Sequence, residues 1–493
     1  MTSANTTAAT KTSAQRGLWA LAALALTALA FFFGTGLRPL WLLTWLAPLP
    51  VLWIAPRLRA WPAWGVSFCA FALSGLNMVS YFGLVSVPVP VRVLAIAAPA
   101  LAFACFVAVH RNLVLRGHLL RAAFSLPVLW CAYEFLTELR SPHSTWGNLA
   151  YTQMACLPIL QIVSITGIWA VSFLVFLLPS AAAAWFSPAA SSRHTRAHRA
   201  RLVATIAAVY LAVLGYGLAR LHTTPLEPRV TVGLIASDLR QNLSPRGAAT
   251  VRLVAAYAEQ IPALASQGAK VIVIPEKLGH IDSDDLETAD AILAQTARAT
   301  HVFILAGFQH LPNLNEARLY SPQGKLVATY EKHHMLPAFE SDLLPGTTRT
   351  LLDQPSGRCG IEICKDMDFP HLSTQYADDG AGLLLVPAWD FVTDGWLHGR
   401  MAILRGVESG FSLARAPKQG ILTVSDDRGH VLAERNTGAA PFATLVASVP
   451  VAAQRTVYDV TGNWFPLFDV PVALVLLFSL LFVPPDPDPR TTQ

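Results

Sequence analysis

The chain has 493 residues, 53% of them hydrophobic and only 14% charged, with a formal net charge of +5 and a mean hydropathy of +0.45. Soluble domains carry about 25% charged residues, so the composition excludes a wholly soluble protein. The small positive excess sits in short loops between apolar runs, where it argues for membrane orientation and against nucleic-acid binding.

A membrane span needs about 20 apolar residues. Runs of that kind fall near 17–34, 38–55, 64–87, 92–110, 119–137, 156–186, 202–220 and 467–484, predicting about eight spans. The first reads as an uncleaved signal-anchor, because further spans follow and no clear cleavage site is present. Asn77, Ser80 and Glu134 interrupt the runs at 64–87 and 119–137. With the N-terminus inside, Lys11, Arg16, Arg57, Arg59, Arg111, Arg116, Arg121, Arg193, Arg196, Arg199 and Arg201 fall in inner segments, against Arg38, Arg92 and Arg140 outside. That asymmetry places residues 225–460 outside the cytoplasm. Glu134 is costly inside an apolar run; it reads either as the lining of a polar cleft or as a side chain snorkelling near a span end. Trp146 and Tyr151, in the outer segment 144–153, read as aromatic anchors at the interface. His194 and His198 in 193–201 read as part of a basic cytoplasmic loop or as a metal tract.

From residue 225 the pattern becomes that of a globular α/β sequence. Strands are predicted at 230–236, 271–274, 301–306, 317–321, 326–330, 360–363, 383–386, 411–415, 421–425 and 430–434, with helices near 247–267, 285–299 and 396–410. Alternating strands and helices with hairpins point to an α/β/β/α sandwich. Three parts follow: 1–224 as a transmembrane domain, 225–460 as an extracytoplasmic catalytic domain, and 461–493 as a C-terminal transmembrane helix and tail. Cys69, Cys105, Cys131 and Cys156 lie in or beside apolar runs, as small hydrophobes do, and Cys359 and Cys364 lack the spacing of a zinc site. No metal and no other cofactor is implied.

Three residues fall at predicted strand ends. Glu276 follows Pro275 after a buried strand, Lys332 follows the second strand of a hairpin, and Cys364 directly follows 360–363. A thiol attacking an acyl carbonyl needs a base, a cation for the oxyanion and a proton for the leaving group. A partly buried Glu276 with a raised pKa can serve as the base, while Lys332 would hold the oxyanion and depress the thiol pKa. Cys359 lies within the run leading into the strand and reads as packing.

These segments resemble the nitrilase (carbon-nitrogen hydrolase) superfamily, and within it the bacterial apolipoprotein N-acyltransferase family. The resemblance extends over nearly the whole chain, including the spans and the C-terminal anchor. It assigns Glu276, Lys332 and Cys364 as a catalytic triad and places a second glutamate at Glu340, to hold Lys332 or line the acyl site. Asp366 and Trp389 are supporting or substrate-binding candidates, and 396–408 with Ala416 and Gly420 fits the family's helix and closing strands. Three departures stand out. Ile274 replaces a tryptophan, Lys365 replaces an aromatic after the cysteine, and 238–247 lacks an expected tryptophan. Lys277 and Lys365 each follow a triad residue; they read as phosphate ligands or as side chains turned away.

The resemblance implies an inner-membrane acyltransferase with its catalytic domain on the periplasmic side. A phospholipid would be the acyl donor and a diacylglyceryl-modified apolipoprotein the acceptor, with the enzyme a monomer. Two alternatives stay open: a membrane-tethered amidase or an N-acyltransferase with another acceptor, and a non-catalytic transporter or scaffold.

Overall fold

The computed structural model describes residues 2–187, 196–223, 227–238, 243–354 and 356–482. Among them, five helices are long and apolar enough to cross a bilayer: Ala14–Gly34, Ala60–Leu84, Val89–Leu115, Leu119–Glu138 and Arg196–Leu221. Three shorter apolar helices are Leu157–Thr166, Trp169–Trp185 and Trp464–Ser479.

Two expected spans are interrupted. The run 38–55 becomes Trp41–Leu46 and Leu49–Ile54, parted at Ala47 and Pro48, where proline has no N–H to donate. The run 156–186 breaks at Gly167, which has φ +66. A Cβ there would sit 2.6 Å from the Tyr458 ring. The residues before the break turn toward the α/β half, and Leu160 and Val163 share a core with Ile403 and Val407.

Polar groups in this half are tied into the protein. Glu134 is buried and its Oε1 accepts a hydrogen bond from the Leu149 N–H at 2.8 Å, replacing both the cleft-lining and the snorkelling readings. Trp146 and Tyr151 are packed within the protein instead of standing as lipid anchors. Trp146 stacks on Tyr81 with centroids 6.0 Å apart, and Tyr151 is buried against Thr145, hydroxyl to hydroxyl at 2.6 Å. Arg111 donates to the Ala55 and Leu58 carbonyls and Arg57 to that of Phe186, which gathers these basic side chains at one end of the bundle. Arg193 and His194 lie outside the described residues, as does the side chain of Lys11; His198 and Arg196 start the helix Arg196–Leu221.

The α/β half contains two sheets. The strands are β1 (Arg229–Ala236), β2 (Val271–Val273), β3 (His280–Ile281), β4 (Phe303–His310), β5 (Leu314–Tyr320), β6 (Leu326–Glu331), β7 (Leu351–Gln354), β8 (Gly357–Ile361), β9 (Leu383–Trp389), β10 (Ser412–Lys418), β11 (Ile421–Ser425), β12 (Val431–Asn436) and β13 (Ala443–Pro450). One sheet runs β13-β1-β2-β4-β5-β6 with β3 on β4, the other β12-β11-β10-β9-β8-β7. The central strands β1, β2 and β4 are parallel, as are β8, β9 and β10, while β5 and β6, β7, and β11 and β12 are added through antiparallel hairpins. β13 pairs with β1 in antiparallel register from Arg229–Pro450 to Ala236–Ala443, joining the first and last strands of the α/β half in a way that no local pattern announces.

The inner faces meet through Val232, Leu234, Val273, Leu305, Ile361, Leu385, Ala414 and Val424, with Cys359 fully buried among them. Helices Ala248–Ala258 and Ser283–Thr300 cover the first sheet through Val254, Tyr257, Ala289 and Leu293. The predicted helix over 247–267 ends early, and a second short helix starts at Ile261 with Pro262 in its first turn. Helices Pro370–Asp378 and Gly395–Ser409 cover the second sheet. The layers are α/β/β/α, as expected. The outer helix layer also joins the membrane half: Met401, Leu404 and Val407 share a core with Cys131, Phe135 and Trp169.

Candidate active site

The candidate side chains gather at the carboxyl ends of strands, where open α/β sheets place ligands. Pro275 ends β2, and the Glu276 N–H donates across to the Ala388 carbonyl of β9 at 3.3 Å, joining the two sheets at this edge. Gly307 lets β4 come close: a Cβ there would lie 2.7 Å from the Glu276 Cα and 2.8 Å from the Pro275 oxygen. Lys332 follows β6 directly. Cys364 lies just past β8 in the left-handed region, with φ +48. That conformation is uncommon for a residue with a Cβ and is typically held in place by surrounding structure at functional sites.

Glu276, Lys332 and Glu340 form one buried cluster, 1%, 2% and 1% exposed. The Lys332 Nζ donates to Glu276 Oε1 at 2.8 Å and to Glu340 Oε2 at 2.8 Å. Asn315 Nδ2 donates to Glu276 Oε1 at 2.7 Å and to Glu340 Oε1 at 2.9 Å. The Leu336 N–H and the Lys277 ammonium complete the shell of Glu340, at 2.8 and 2.5 Å. Burial alone would push the Glu340 carboxyl up, but Lys332 and Lys277 outweigh it and hold it at about 2. Burial likewise works against the Lys332 ammonium, and Glu276 and Glu340 reverse this and raise it well above the usual lysine value. The expectation of a partly buried Glu276 is therefore corrected: it is fully enclosed, and an ammonium sits on it.

The Cys364 thiol donates to the Trp389 carbonyl at 3.5 Å. Burial pushes the thiol well above its ordinary value; Glu276 adds to this, while Lys332 and Arg415 pull the other way. Lys332 thus does not depress the resting thiol on balance, because desolvation dominates. Arg415 is paired with Asp390 at 2.5 and 2.9 Å, bracing β10 against the end of β9. Trp389 is held through its indole N–H on Gln419 at 2.9 Å, and the Lys418 ammonium lies 3.5 Å from the ring centroid.

Asp366 braces the site. Fully buried, it accepts from the Tyr330 hydroxyl at 2.8 Å, the Ile363 N–H at 3.1 Å and the His334 N–H at 2.8 Å. It ties the segment carrying Lys332 to the turn carrying Cys364, which is a supporting position. Lys365 points away from the thiol, to His143 Nδ1 at 3.2 Å and Asp368 Oδ2 at 3.3 Å. Lys277 does neither of the things expected of it. Its φ of +46 breaks strand alternation and brings its side chain round to Glu340. Asn315 and Lys418 carry no local sequence signal: β5 also holds Glu316 and Arg318, and only the fold shows Asn315 completely buried.

Residues 23–182 match the family model described as apolipoprotein N-acyltransferase N-terminal domain, and residues 239–421 match carbon-nitrogen hydrolase. The apolipoprotein N-acyltransferase of Geobacter metallireducens is 27% identical over 444 residues, covering 81% of this chain and 83% of that protein. That of Haemophilus ducreyi is 24% identical over 491 residues, covering 90% and 91%. A solved amidase from Nesterenkonia sp. aligns at 20% identity with a TM-score of 0.38, over 46% of this chain and 92% of its own. The N-terminal half thus matches the apolipoprotein N-acyltransferase N-terminal domain and the catalytic half carbon-nitrogen hydrolase of the nitrilase superfamily, and over most of its length the chain is similar to apolipoprotein N-acyltransferases.

Proposed function

We propose that the chain moves an acyl chain from a phospholipid, through a thioester on Cys364, to the α-amino group of the diacylglyceryl-modified N-terminal cysteine of an apolipoprotein. The observation that carries this reading is the buried Glu276–Lys332 pair beside the Cys364 thiol, in a chain whose relatives are named for that activity.

In the first half-reaction the Cys364 sulfur adds to the ester carbonyl while Glu276 takes the thiol proton. Because burial holds the resting thiol protonated, proton transfer accompanies attack. Lys332 donates to the oxyanion. Collapse breaks the ester C–O bond, and Glu276 returns the proton to the departing alkoxide, which leaves as a lysophospholipid. In the second half-reaction the amine adds to the thioester carbonyl, Glu276 accepts its proton, the C–S bond breaks and the thiol is restored. Glu340 keeps Lys332 in place, Asp366 braces the two strand ends, and the Trp389 carbonyl orients the thiol.

The working division is a transmembrane domain at 1–224, a catalytic domain at 225–460 and a C-terminal anchor at 461–493, acting as a monomer. The catalytic domain lies on the periplasmic face, a reading supported by the basic side chains gathered at the other end of the bundle. Both substrates carry lipid chains, so a membrane-embedded enzyme removes the need to extract them into water. The test is intact mass of detergent-purified protein incubated with phosphatidylethanolamine, beside Cys364→Ala. A gain of one acyl chain, absent in the variant and discharged by a diacylated lipopeptide but not by water, is expected. Discharge by water alone makes the protein a hydrolase; no adduct defeats the reading.

A further inference from the structure

Lys277 follows Glu276 directly, yet its ammonium sits 2.5 Å from Glu340 Oε1, while Lys332 holds the other oxygen of that carboxylate. Its left-handed backbone makes this possible, and the Lys418 ammonium holds that backbone by donating to the Lys277 carbonyl at 2.6 Å and to the Leu243 carbonyl at 2.7 Å. The two lysines lie 5.7 and 3.5 Å from the centroid of the Trp389 ring, and the Trp389 carbonyl receives the thiol. Two ammonium groups, Lys332 and Lys277, pair directly with Glu276 and Glu340, so within these four groups the charges balance with Lys277 and leave one negative charge unmatched without it.

We infer that Lys277 is a positioning residue: it pins and balances Glu340, so that Lys332 serves Glu276 and the reacting carbonyl. The inference rests on the acyl-transfer reading above for its meaning, but its test does not need the lipid substrates. An uncompensated Glu340 draws more fully on Lys332, one of the two cations that face the thiol against Glu276 and Asp390. Around Lys277 itself the charged or titratable groups are Glu340, Glu276, Lys418 and His280.

The experiment measures iodoacetamide alkylation of Cys364 against pH by peptide mass spectrometry, in the full-length protein and in Lys277→Met, Lys277→Arg and Lys277→Met with Glu340→Gln. Lys277→Met is expected to move the midpoint of the alkylation profile up by about one pH unit, which slows alkylation at neutral pH about tenfold. Lys277→Arg restores the profile because it restores the charge, and the double variant restores it by removing the carboxylate. Overlapping profiles for wild type and Lys277→Met overturn the inference, including the case in which only the melting temperature falls, since a tie of merely structural value would do that. A displaced profile in a protein whose Cys364 takes no acyl chain from phospholipid upholds the role of Lys277 while defeating the acyl-transfer reading.

Discussion

Lys332→Met removes the ammonium that two buried carboxylates share. Taking one partner from a buried ion pair costs about 3–5 kcal/mol, because a charge is left without compensation. Here Glu276 and Glu340 are each 1% exposed and both bond to Lys332 at 2.8 Å, so the loss at neutral pH is put at about 4 kcal/mol. The cost depends on pH. In the wild type the Glu340 carboxyl is held at about 2, so its contribution is present above the ordinary value of 4.5 and is lost only as pH falls through about 2. Between pH 5 and 8 that contribution is flat. In the variant the two carboxylates keep Lys277 as the one ammonium bonded to them, beside the Asn315 amide and the Leu336 N–H, and one of them takes up a proton as pH falls. Once that proton is bound more tightly in the folded than in the unfolded chain, every further drop of one pH unit recovers about 1.4 kcal/mol, so the deficit shrinks toward pH 5. In the proposed reaction catalysis does not recover, because there a protonated Glu276 is no base and losing one oxyanion donor already costs about 10²–10³ in kcat. The assay is acyl-adduct formation by intact mass, with apparent Tm in detergent, from pH 5 to 8. A variant that acylates within tenfold of wild type, or whose Tm deficit is the same at pH 5 and 8, would show that Lys332 does not hold the two carboxylates in this way.

Burial opposes the His398 cation, but Asp394 outweighs it and holds the imidazolium at about 9. Its contribution is complete below the ordinary value of 6.5 and is lost as pH rises through about 9, so wild type should lose up to about 3 kcal/mol over that window. His398→Gln should show a flatter Tm profile; parallel profiles would count against the pair. Gly307→Ala places a Cβ 2.7 Å from the Glu276 Cα. It is expected to cost about 1–3 kcal/mol of stability and to slow acylation by displacing Glu276; unchanged acylation would show that β4 has room to move. Asp366→Ala strips the acceptor shared by Tyr330, Ile363 and His334. It should lower Tm and kcat while leaving the KM for donor lipid unchanged, and a KM effect alone would return Asp366 to the substrate-contact role.

The ends of strands were legible in the sequence because burial and punctuation coincide there. An apolar run stopped by Pro275 puts Glu276 at an edge, and the run into Cys364 does the same without any long-range information. What was not legible is whatever depends on which edges meet. Asn315 is unremarkable beside Leu314 until β5 lies next to β4, and only then does its amide reach both Glu276 and Glu340. Lys277 shows the limit most clearly. Strand alternation turns it away from Glu276, and a single left-handed residue, held by Lys418 from β10 of the opposite sheet, turns it back onto Glu340. The aromatic residues of the outer loop failed for a related reason. Trp146 and Tyr151 have the composition of lipid anchors, but the helix layer over the second sheet comes down on the same loop, and Arg405 donates to the Tyr151 hydroxyl at 3.3 Å. A membrane-surface position and a protein interface call for the same amphipathic rings, so composition cannot choose between them. The choice is made by the apolar face of Gly395–Ser409, which has the second sheet on one side and the membrane helices on the other. That shared layer fixes the catalytic half to the bundle, and in the proposed reaction it is what keeps Cys364 within reach of a donor and an acceptor that both stay anchored in lipid.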